Sequence, residues 1–174
     1  HPKSFIGRLL LGKFFGSSQI LRLAEKFRWL LLSDDRPDVT VDTFIPFSRL
    51  KEFLEWYARD FDHFPLWVVP YARVHDYEWL TDSFWAKTKD TLMVDIAIYG
   101  MKQRGVTNYY RLMEEKLQEL NGIKTLISYN YYKEDEFWQI FNRKNYDAVK
   151  AITDPDNIFR NLYEKTCRAA MGWE

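Results

Sequence analysis

The order of strand-like and helix-like segments between residues 39 and 131 constrains the fold of this chain most. Segments 39–45, 64–71, 91–100 and 123–131 are rich in β-branched and aromatic residues, which is typical of strands. Between the first two segments, and again between the last two, apolar residues recur at the spacing of one helix face. These helical positions are Leu50, Phe53, Leu54 and Tyr57, followed by Tyr110, Met113, Leu117 and Leu120.

The order strand, helix, strand, strand, helix, strand predicts an α+β domain with the split β-α-β, or ferredoxin-like, arrangement. Four antiparallel strands form one sheet in this arrangement, and both helices lie on one face. We expect the second helix to begin at Thr107 and to end at Asn121-Gly122, where a left-handed residue is needed. Because proline cannot donate a ladder hydrogen bond, the prolines of segment 64–71 favour an edge position or a bulged course for that strand.

Helical extensions are predicted on both sides of the sheet. After the last strand, residues 134–142, 146–152 and 158–170 have helical patterns, and Asp154 is placed to cap the final helix. Before the first strand, residues 1–36 are predicted as an amphipathic helical segment.

We therefore expect two units, residues 1–36 and residues 37–174, separated by charged residues and Pro37. Within the first unit, residues 4–33 combine an apolar face with a locally basic surface. A basic amphipathic helix can lie on an anionic membrane, and packing against the rest of the protein is the alternative. The basic residues are Arg8, Lys13, Arg22, Lys26 and Arg28.

The predicted strands are apolar on both faces, which a solvated antiparallel sheet would not be. The helices cover one face, so the other needs a partner, another domain or a ligand. Asp95 interrupts the third strand, where an unpaired carboxylate costs several kcal/mol, roughly. It is expected either at an edge or in a salt bridge, or lining a cavity. The apolar residues are Leu66, Trp67, Val68, Val69, Met93, Val94, Ile96 and Ile98.

Composition excludes several classes of function. The 174 residues carry 25 basic and 25 acidic side chains, so the basic excess of a nucleic-acid-binding protein is absent. The single Cys167 allows no internal disulfide, and too few Cys and His residues are present for us to expect a metal site. The chain has no Gly-rich phosphate loop and no G-x-S-x-G motif.

Aromatic residues make up 18% of the chain, which suits a core, an interface or a pocket for flat or apolar ligands. No apolar run is long enough to span a membrane. We expect a cytoplasmic protein, with peripheral membrane contact through residues 4–33 as the alternative location. Because the chain lacks an initial Met, we also expect it to be a piece of a longer protein.

Four motifs, taken in order, resemble the carboxy-terminal half of FAD-linked oxidases of the vanillyl-alcohol oxidase type. Within that superfamily they are most similar to the delta-24 sterol (24-dehydrocholesterol) reductase branch. The likeness runs from about Phe14 to the end of the chain. The motifs are FPLWVVP at residues 64–70, DIAIYG at 95–100, Tyr131 followed by EFW at 136–138, and LYEK at 162–165.

This resemblance implies a two-domain flavoprotein. An amino-terminal domain, absent from this sequence, would bind most of the FAD. Residues 37–174 would be the carboxy-terminal substrate or cap domain, whose sheet lies over the flavin ring and forms the substrate pocket. The fragment alone should then be inactive. Oxygen or a nicotinamide, NAD(P)H, would be the electron partner, and the aromatic richness favours an apolar, sterol- or polyprenyl-like substrate.

The resemblance also implies site residues. Tyr131 and Lys133 are the predicted catalytic residues, and Asn130 and Tyr131 are predicted to meet the cofactor. A phenol or ammonium beside the flavin could donate a proton to the reduced ring or the substrate. Cross-strand packing is the alternative role of Tyr131. The predicted substrate-binding residues are Trp67, Asp95, Tyr99 and Tyr129.

Two other functions stay open at this level. Sugar-alcohol and aldonolactone oxidases carry a His-Trp-Gly-Lys motif, of which residues 130–133 keep only Lys133. A ferredoxin-like sheet can also serve as a ligand-sensing or protein-interaction module without chemistry, since a fold alone does not fix a function.

Overall fold

The computed structural model describes residues 38–168 and Gly172. The predicted helices of residues 4–33 therefore lie outside the described residues, and the proposed two-unit division stays a prediction. The same holds for the end of the helix predicted over residues 158–170.

The four strands and the two helices between them follow in the predicted order, and the connection between the second and third strands contains a short helix that the sequence did not predict. The strands are β1 (Val39–Pro46), β2 (Trp67–Ala72), β3 (Leu92–Met101) and β4 (Ile123–Lys124). The helices are α1 (Leu50–Asp60), α2 (Asp82–Lys87), α3 (Tyr109–Leu120), α4 (Glu134–Ile140), α5 (Arg143–Thr153) and α6 (Leu162–Thr166), and a 3₁₀ turn at Phe47–Arg49 precedes α1.

The four strands form one antiparallel sheet in the order β2-β3-β1-β4. This is the order of the split β-α-β arrangement, so the α+β, ferredoxin-like prediction is confirmed. The proline-containing β2 lies at one edge, as Pro70 requires, and the short β4 lies at the other.

Helices α1 and α3 cover one face of the sheet because their apolar stripes match the inward positions of β1 and β3. Phe53 and Tyr57 of α1 and Met113 and Leu117 of α3 are fully or almost fully buried in one cluster. Burying a large apolar side chain contributes roughly 1.5–3 kcal/mol, so this cluster is the main source of stability. The sheet contributes Val39, Val41, Ile45, Val94, Ile96, Ile98 and Met101 to it.

A second core lies beside β4 and joins the β2–β3 connection to the carboxy-terminal helices. Phe137 is fully buried at its centre, 4.4 Å from Phe141 and 5.4 Å from Tyr163 between ring centroids. Ile123 belongs to this core, and Phe44 packs against it. Part of the second sheet face is thus covered by the chain itself, a cover that the sequence did not reveal.

The turn from α3 into β4 depends on a residue pair that the sequence identified. Asn121 has φ of 55°, the left-handed conformation that ends the helix. A Cβ on Gly122 would lie 2.8 Å from the carbonyl oxygen of Phe44, so only glycine fits here without a shift. The helix begins at Asn108 rather than Thr107, because the Asn108 side chain accepts a hydrogen bond from the Arg111 amide.

The fourth strand is much shorter than the predicted segment 123–131. After β4 the chain bends, and Ser128 adopts a left-handed φ of 66°. In this segment the Asn130 side chain replaces a partner strand. Its amide donates to the backbone carbonyls of Leu126 and Ser128, both at 3.2 Å. Side-chain competition for backbone groups therefore ends the strand.

Asp154 does not cap the last helix. It stands at the end of α5, where its carboxylate accepts from the backbone amides of Ile158 and Phe159. Helix α6 begins later, at Asn161, whose side chain accepts from the Glu164 amide at 2.8 Å. The acidic residue thus serves the turn between the two helices, and the later Asn supplies the N-cap.

Candidate active site

The sheet face opposite α1 and α3 carries the candidate site, and we call it the open face. Strand alternation puts its residues there, and the register aligns them in rows. Asp95 is the direct partner of Val69 on one side and of Phe44 on the other, and Phe44 is the partner of Ile123. The open face consists of Asp42, Phe44, Trp67, Val69, Tyr71, Met93, Asp95, Ala97, Tyr99 and Ile123.

Three aromatic side chains of the open face are exposed to an unusual degree. The exposed fraction is 66% for Trp67, 56% for Tyr99 and 49% for Tyr71. A contiguous exposed apolar surface on a folded domain marks a binding surface. The half of the open face that carries Trp67 and Tyr99 is therefore not covered by residues 38–168, and the expected partner or ligand for it stays a prediction.

Two adjoining cavities, of about 520 and 270 Å³, open over the other half of the open face. They share Phe44, Trp79 and Ile123, and together we call them the apolar groove. Helices α4 and α5 and the following segment contribute Trp138, Phe141, Tyr146, Val149 and Leu162 to the first cavity. The β2–β3 connection and α2 contribute Tyr77, Leu80, Phe84 and Trp85 to the second.

A further cavity of about 560 Å³ lies at the opposite end of the open face. Trp67, Ala97 and Tyr99 line it from the sheet, and His63 lines it from the loop before β2. His63 Nε2 lies 3.3 Å from the backbone oxygen of Tyr99. This arrangement leaves an aromatic surface with one imidazole at its rim.

Asp95 is the polar group at the centre of the open face. Its Oδ1 atom is buried and has no hydrogen-bond partner among residues 38–168. Burial raises the pKa of the carboxyl to about 6, and the nearby Asp42 carboxylate adds to the shift, whereas the Thr43 backbone N–H opposes it. Asp95 lies on the inner strand β3 and not at a sheet edge, but it is not a lining residue of the three cavities described above, so its predicted cavity-lining role stays a prediction.

Asp42 has a partner that Asp95 lacks. The Tyr99 hydroxyl donates to Asp42 Oδ1 at 3.0 Å across the sheet. This hydrogen bond raises the pKa of the Tyr99 phenol. Two carboxyls and a phenol therefore lie together on an otherwise apolar surface, a combination suited to holding and moving protons.

A second set of predicted site residues, Tyr129, Asn130 and Tyr131, surrounds a buried ion pair between α3 and the edge strand β4. Lys124 Nζ lies 3.1 Å from Glu114 Oε1, and both side chains are fully buried. The ammonium also donates to the Tyr129 backbone oxygen at 2.6 Å and to Asn130 Oδ1 at 2.7 Å. Burial raises the pKa of the Glu114 carboxyl and lowers that of the Lys124 ammonium, and their mutual attraction opposes both shifts.

Asn130 and Tyr131 are bonded into this network. The Asn130 amide donates to the Thr166 backbone oxygen at 2.9 Å, so the protein itself uses both ends of the side chain. The Tyr131 backbone amide donates to Glu114, and its ring packs against the main core, as does Tyr129. Lys133 is exposed and precedes α4, where its backbone amide donates to Glu136.

The predicted site residues thus fall into two groups. Trp67, Asp95 and Tyr99 come together on the open face. Tyr129, Asn130 and Tyr131 surround the ion pair on the side of α3, and Lys133 starts α4. The catalytic, cofactor-binding and substrate-binding roles assigned to these residues stay predictions.

Sequence reasoning missed Glu114 and Lys124. A signal for Glu114 was present, because it follows Tyr110 at i+4 on the buried face of α3. A charged residue within an apolar stripe requires a buried partner. Lys124 gave no comparable signal, since a lysine near the end of an edge strand is ordinarily solvated.

Within residues 38–168, no group of three His, Cys, Asp or Glu side chains is arranged to hold a metal ion. None of the helices in that part of the chain is both long and apolar enough to cross a bilayer.

Comparison with known proteins gives one consistent set of relatives. A Delta(24)-sterol reductase homolog of Caenorhabditis elegans is 23% identical over 148 residues, which cover 78% of this chain and 26% of the relative. The Delta(24)-sterol reductase of Homo sapiens is 23% identical over 141 residues, or 76% of this chain and 26% of the relative. That of Arabidopsis thaliana is also 23% identical, over 147 residues.

The chain spans about a quarter of the length of these curated relatives, 26% in each case. No protein-family model and no solved structure matches it. The matches confirm the resemblance that the four sequence motifs indicated: this chain is a homologue of the delta(24)-sterol reductases over most of its length.

Proposed function

We propose that this chain is the substrate-binding cap domain of an FAD-dependent oxidoreductase. The reaction would be a hydride transfer between the flavin and an apolar, sterol- or polyprenyl-like substrate. The similarity to delta(24)-sterol reductases supports the reaction class. Because the chain spans 26% of those relatives, the complete enzyme would include an amino-terminal FAD-binding domain as the partner of this one.

The open face is the single observation that carries the proposal. Its exposed half presents Trp67 and Tyr99, 66% and 56% exposed, next to Asp95. A flat aromatic surface with one unpartnered carboxyl oxygen suits contact with a flat ring and a reacting substrate. The apolar groove adjoins this half through Phe44, the cross-strand partner of Asp95.

FAD fits the open face only in part. The face can meet the flavin ring, which supplies hydride exchange with a substrate carbon when FAD is bound. The sequence has no Gly-rich loop for the phosphates, so the FAD-binding domain would hold them. In this proposal Trp67 and Tyr99 orient the ring and substrate, and the apolar groove excludes water. The donor roles that the resemblance implies for Tyr131 and Lys133 are not part of this arrangement, because Tyr131 packs against the main core beside α3 and not on the open face.

The chemistry of the groove favours an apolar substrate over a sugar. Most of its lining residues are aromatic or aliphatic, whereas a sugar needs several hydrogen-bonding groups in its pocket. The polar and charged residues of the lining are Arg73, Glu78, Lys124, Thr125, Asn142 and Asn145. The combined cavities are of the size of ligand sites for molecules larger than a monosaccharide, typically about 300–1,000 Å³. NAD(P)H is the proposed electron donor, in keeping with relatives named as reductases.

A matched pair of substitutions on α5 tests the groove. Val149 lines it, whereas Ile152, one turn further along and 82% exposed, is not among its lining residues. Val149→Asp should weaken binding of 24-dehydrocholesterol to the full-length protein about tenfold, since roughly 1.4 kcal/mol of apolar contact is lost. Ile152→Asp should leave the affinity unchanged.

The same experiment can refute the proposal at two levels. Equal sterol affinity for both variants and the wild type would exclude the groove as the substrate site. Full-length protein that shows no flavin absorbance and no loss of the sterol double bond in the presence of NAD(P)H would exclude the oxidoreductase.

We also propose peripheral membrane contact through residues 4–33, because an apolar substrate resides in membranes. The basic residues Arg22, Lys26 and Arg28 would contact anionic headgroups. Full-length protein should float with vesicles containing phosphatidylserine. Replacing these three residues by Gln should reduce flotation, and unchanged flotation would argue against the contact.

A further inference from the structure

Asp95 differs from Asp42, the other acidic residue of the open face, because its Oδ1 atom has no hydrogen-bond partner among residues 38–168. It occupies an inner position of a row that runs Val69, Asp95, Phe44 and Ile123 across all four strands. The direct cross-strand partners of Asp95, Val69 and Phe44, are both apolar and supply no opposite charge. The carboxyl faces the side from which a ligand would approach.

Asp95 lies between the cavities of the open face. Phe44, its direct cross-strand partner, lines both cavities of the apolar groove. Ala97, the next residue on the same face of β3, lines the cavity that Trp67 and Tyr99 form. A substrate that extended from the groove to the exposed aromatic half would cross the part of the sheet that lies between Phe44 and Ala97, where Asp95 is located.

The charged and titratable groups around Asp95 favour its protonated form. On β1, Asp42 is the nearest charged side chain, and it is held as a hydrogen-bond acceptor by the Tyr99 hydroxyl at 3.0 Å. On β2 the titratable side chain of this face is Tyr71, and the loop before β2 contributes His63. Burial raises the pKa of the Asp95 carboxyl to about 6, and the Asp42 carboxylate adds to this shift, so Asp95 holds a proton at a higher pH than an ordinary Asp does.

We propose that Asp95 is the proton donor of the reaction, a step that rests on the proposed function. The Asp95 O–H bond breaks, and its proton forms a C–H bond with the electron pair of the substrate double bond. When FAD is bound, its reduced form would supply the hydride for the second carbon and would be oxidised by two electrons. Asp95 is left as a carboxylate and takes its next proton from water. Tyr99 and Asp42 are positioning residues that keep the negative charge off Asp95.

The first test needs neither flavin nor substrate. The Asp95 carboxyl is followed by ¹³C NMR in the 174-residue chain as the pH is raised. We expect titration near pH 6, and Asp42→Asn should lower the midpoint because a neighbouring negative charge is removed. A midpoint near 4 in the wild-type chain, the value of an ordinary Asp, would overturn the assignment.

The second test uses full-length enzyme with 24-dehydrocholesterol and NAD(P)H. Asp95→Asn should reduce turnover at least about 100-fold, the usual contribution of a general acid, while flavin content and sterol affinity stay within threefold of wild type. In the Asp42→Asn variant, the loss of activity with rising pH should occur at lower pH than in wild type. Asp60→Asn is the matched control, because Asp60 lies on α1 at the covered side of the sheet. This variant should change neither the turnover nor the pH dependence of the activity.

The outcomes separate the two proposals. An active flavoenzyme whose Asp95→Asn variant keeps turnover within threefold and the wild-type pH profile overturns the proton-donor role and leaves the proposed function standing. Full-length protein without flavin and without turnover overturns both. Reduced turnover with an unchanged pH profile in Asp42→Asn also contradicts the charge relation between the two carboxyls.

Discussion

Glu114 and Lys124 form an ion pair, 3.1 Å between Oε1 and Nζ, in which both side chains are fully buried. The pair joins α3 to β4 and, through the Lys124 ammonium, fixes the loop at Tyr129 and Asn130. Such a pair specifies one arrangement of the chain, because each charge is costly without the other.

Removing one member should therefore be strongly destabilising. Lys124→Met should lower the free energy of unfolding by about 3–5 kcal/mol, because Glu114 is left buried without its partner. The double variant Lys124→Met with Glu114→Gln should lose less than the sum of the single losses. Urea unfolding followed by tryptophan fluorescence measures these values.

The exposed pair of Lys51 and Glu55 supplies the control. Their side chains are 88% and 66% exposed, so Lys51→Met should change stability by less than about 0.5 kcal/mol. Strict additivity at Glu114 and Lys124 would show that the buried charges are not coupled.

Asp95 should make stability depend on pH near neutrality. Because its folded-state pKa is raised to about 6, mainly by burial, the stabilising protonated form is complete below about pH 4 and is lost as the pH rises through 6. Asp95→Asn should therefore stabilise the chain at pH 7.5 by roughly 1 kcal/mol, a value reduced by partial solvation. At pH 4 the variant and wild type should unfold at nearly the same temperature, and an equal difference at both pH values would contradict this account.

The ion pair of Arg111 and Glu136 should also make stability depend on pH, but in the opposite direction to Asp95. Two hydrogen bonds of 2.7 and 2.8 Å join them, and the guanidinium lowers the pKa of Glu136 to about 2. The contribution is complete above about pH 4.5 and is lost as the pH falls toward 2. Glu136→Gln should cost about 1 kcal/mol at pH 7, since the pair is partly solvated, and almost nothing at pH 2.

Thermal unfolding at the two pH values measures this effect. Glu134→Gln is a suitable control, because Glu134 is exposed and 3.5 Å from Arg143. A loss of equal size for Glu136→Gln at both pH values would mean that packing, not charge, is responsible.

Cys167 should be protected from thiol reagents until the protein unfolds. It is fully buried, and burial raises the pKa of its thiol to about 12, so only about one thiol in ten thousand is ionised at pH 8. Because the chain has a single cysteine, the reaction with a disulfide reagent reports this site alone. Labelling should be slow in buffer and rapid in urea, and rapid labelling in buffer would show that α6 opens locally.

Local patterns in the sequence predict the class of the fold and the order of its strands and sheet-covering helices, although they did not predict α2. Periodicity located β1, α1, β3 and α3 within a few residues, because alternation and helical spacing are local properties of the chain. Asn121-Gly122 identified the end of α3 for the same reason, since a left-handed turn residue is a local requirement. The need for a cover on the second sheet face also followed from the apolar strands.

The positions of the polar groups, in contrast, follow from the tertiary structure. The early end of β4 depends on Asn130, whose amide bonds to Thr166 36 residues further along. The pairing of Glu114 with Lys124 and the central place of Asp95 between Val69 and Phe44 depend on strand register. Contacts between residues distant in sequence arise from the packing of whole elements, and no local period encodes them. The strands and helices can therefore be predicted from local sequence patterns, whereas the candidate site forms only when β1, β2 and β3 are paired.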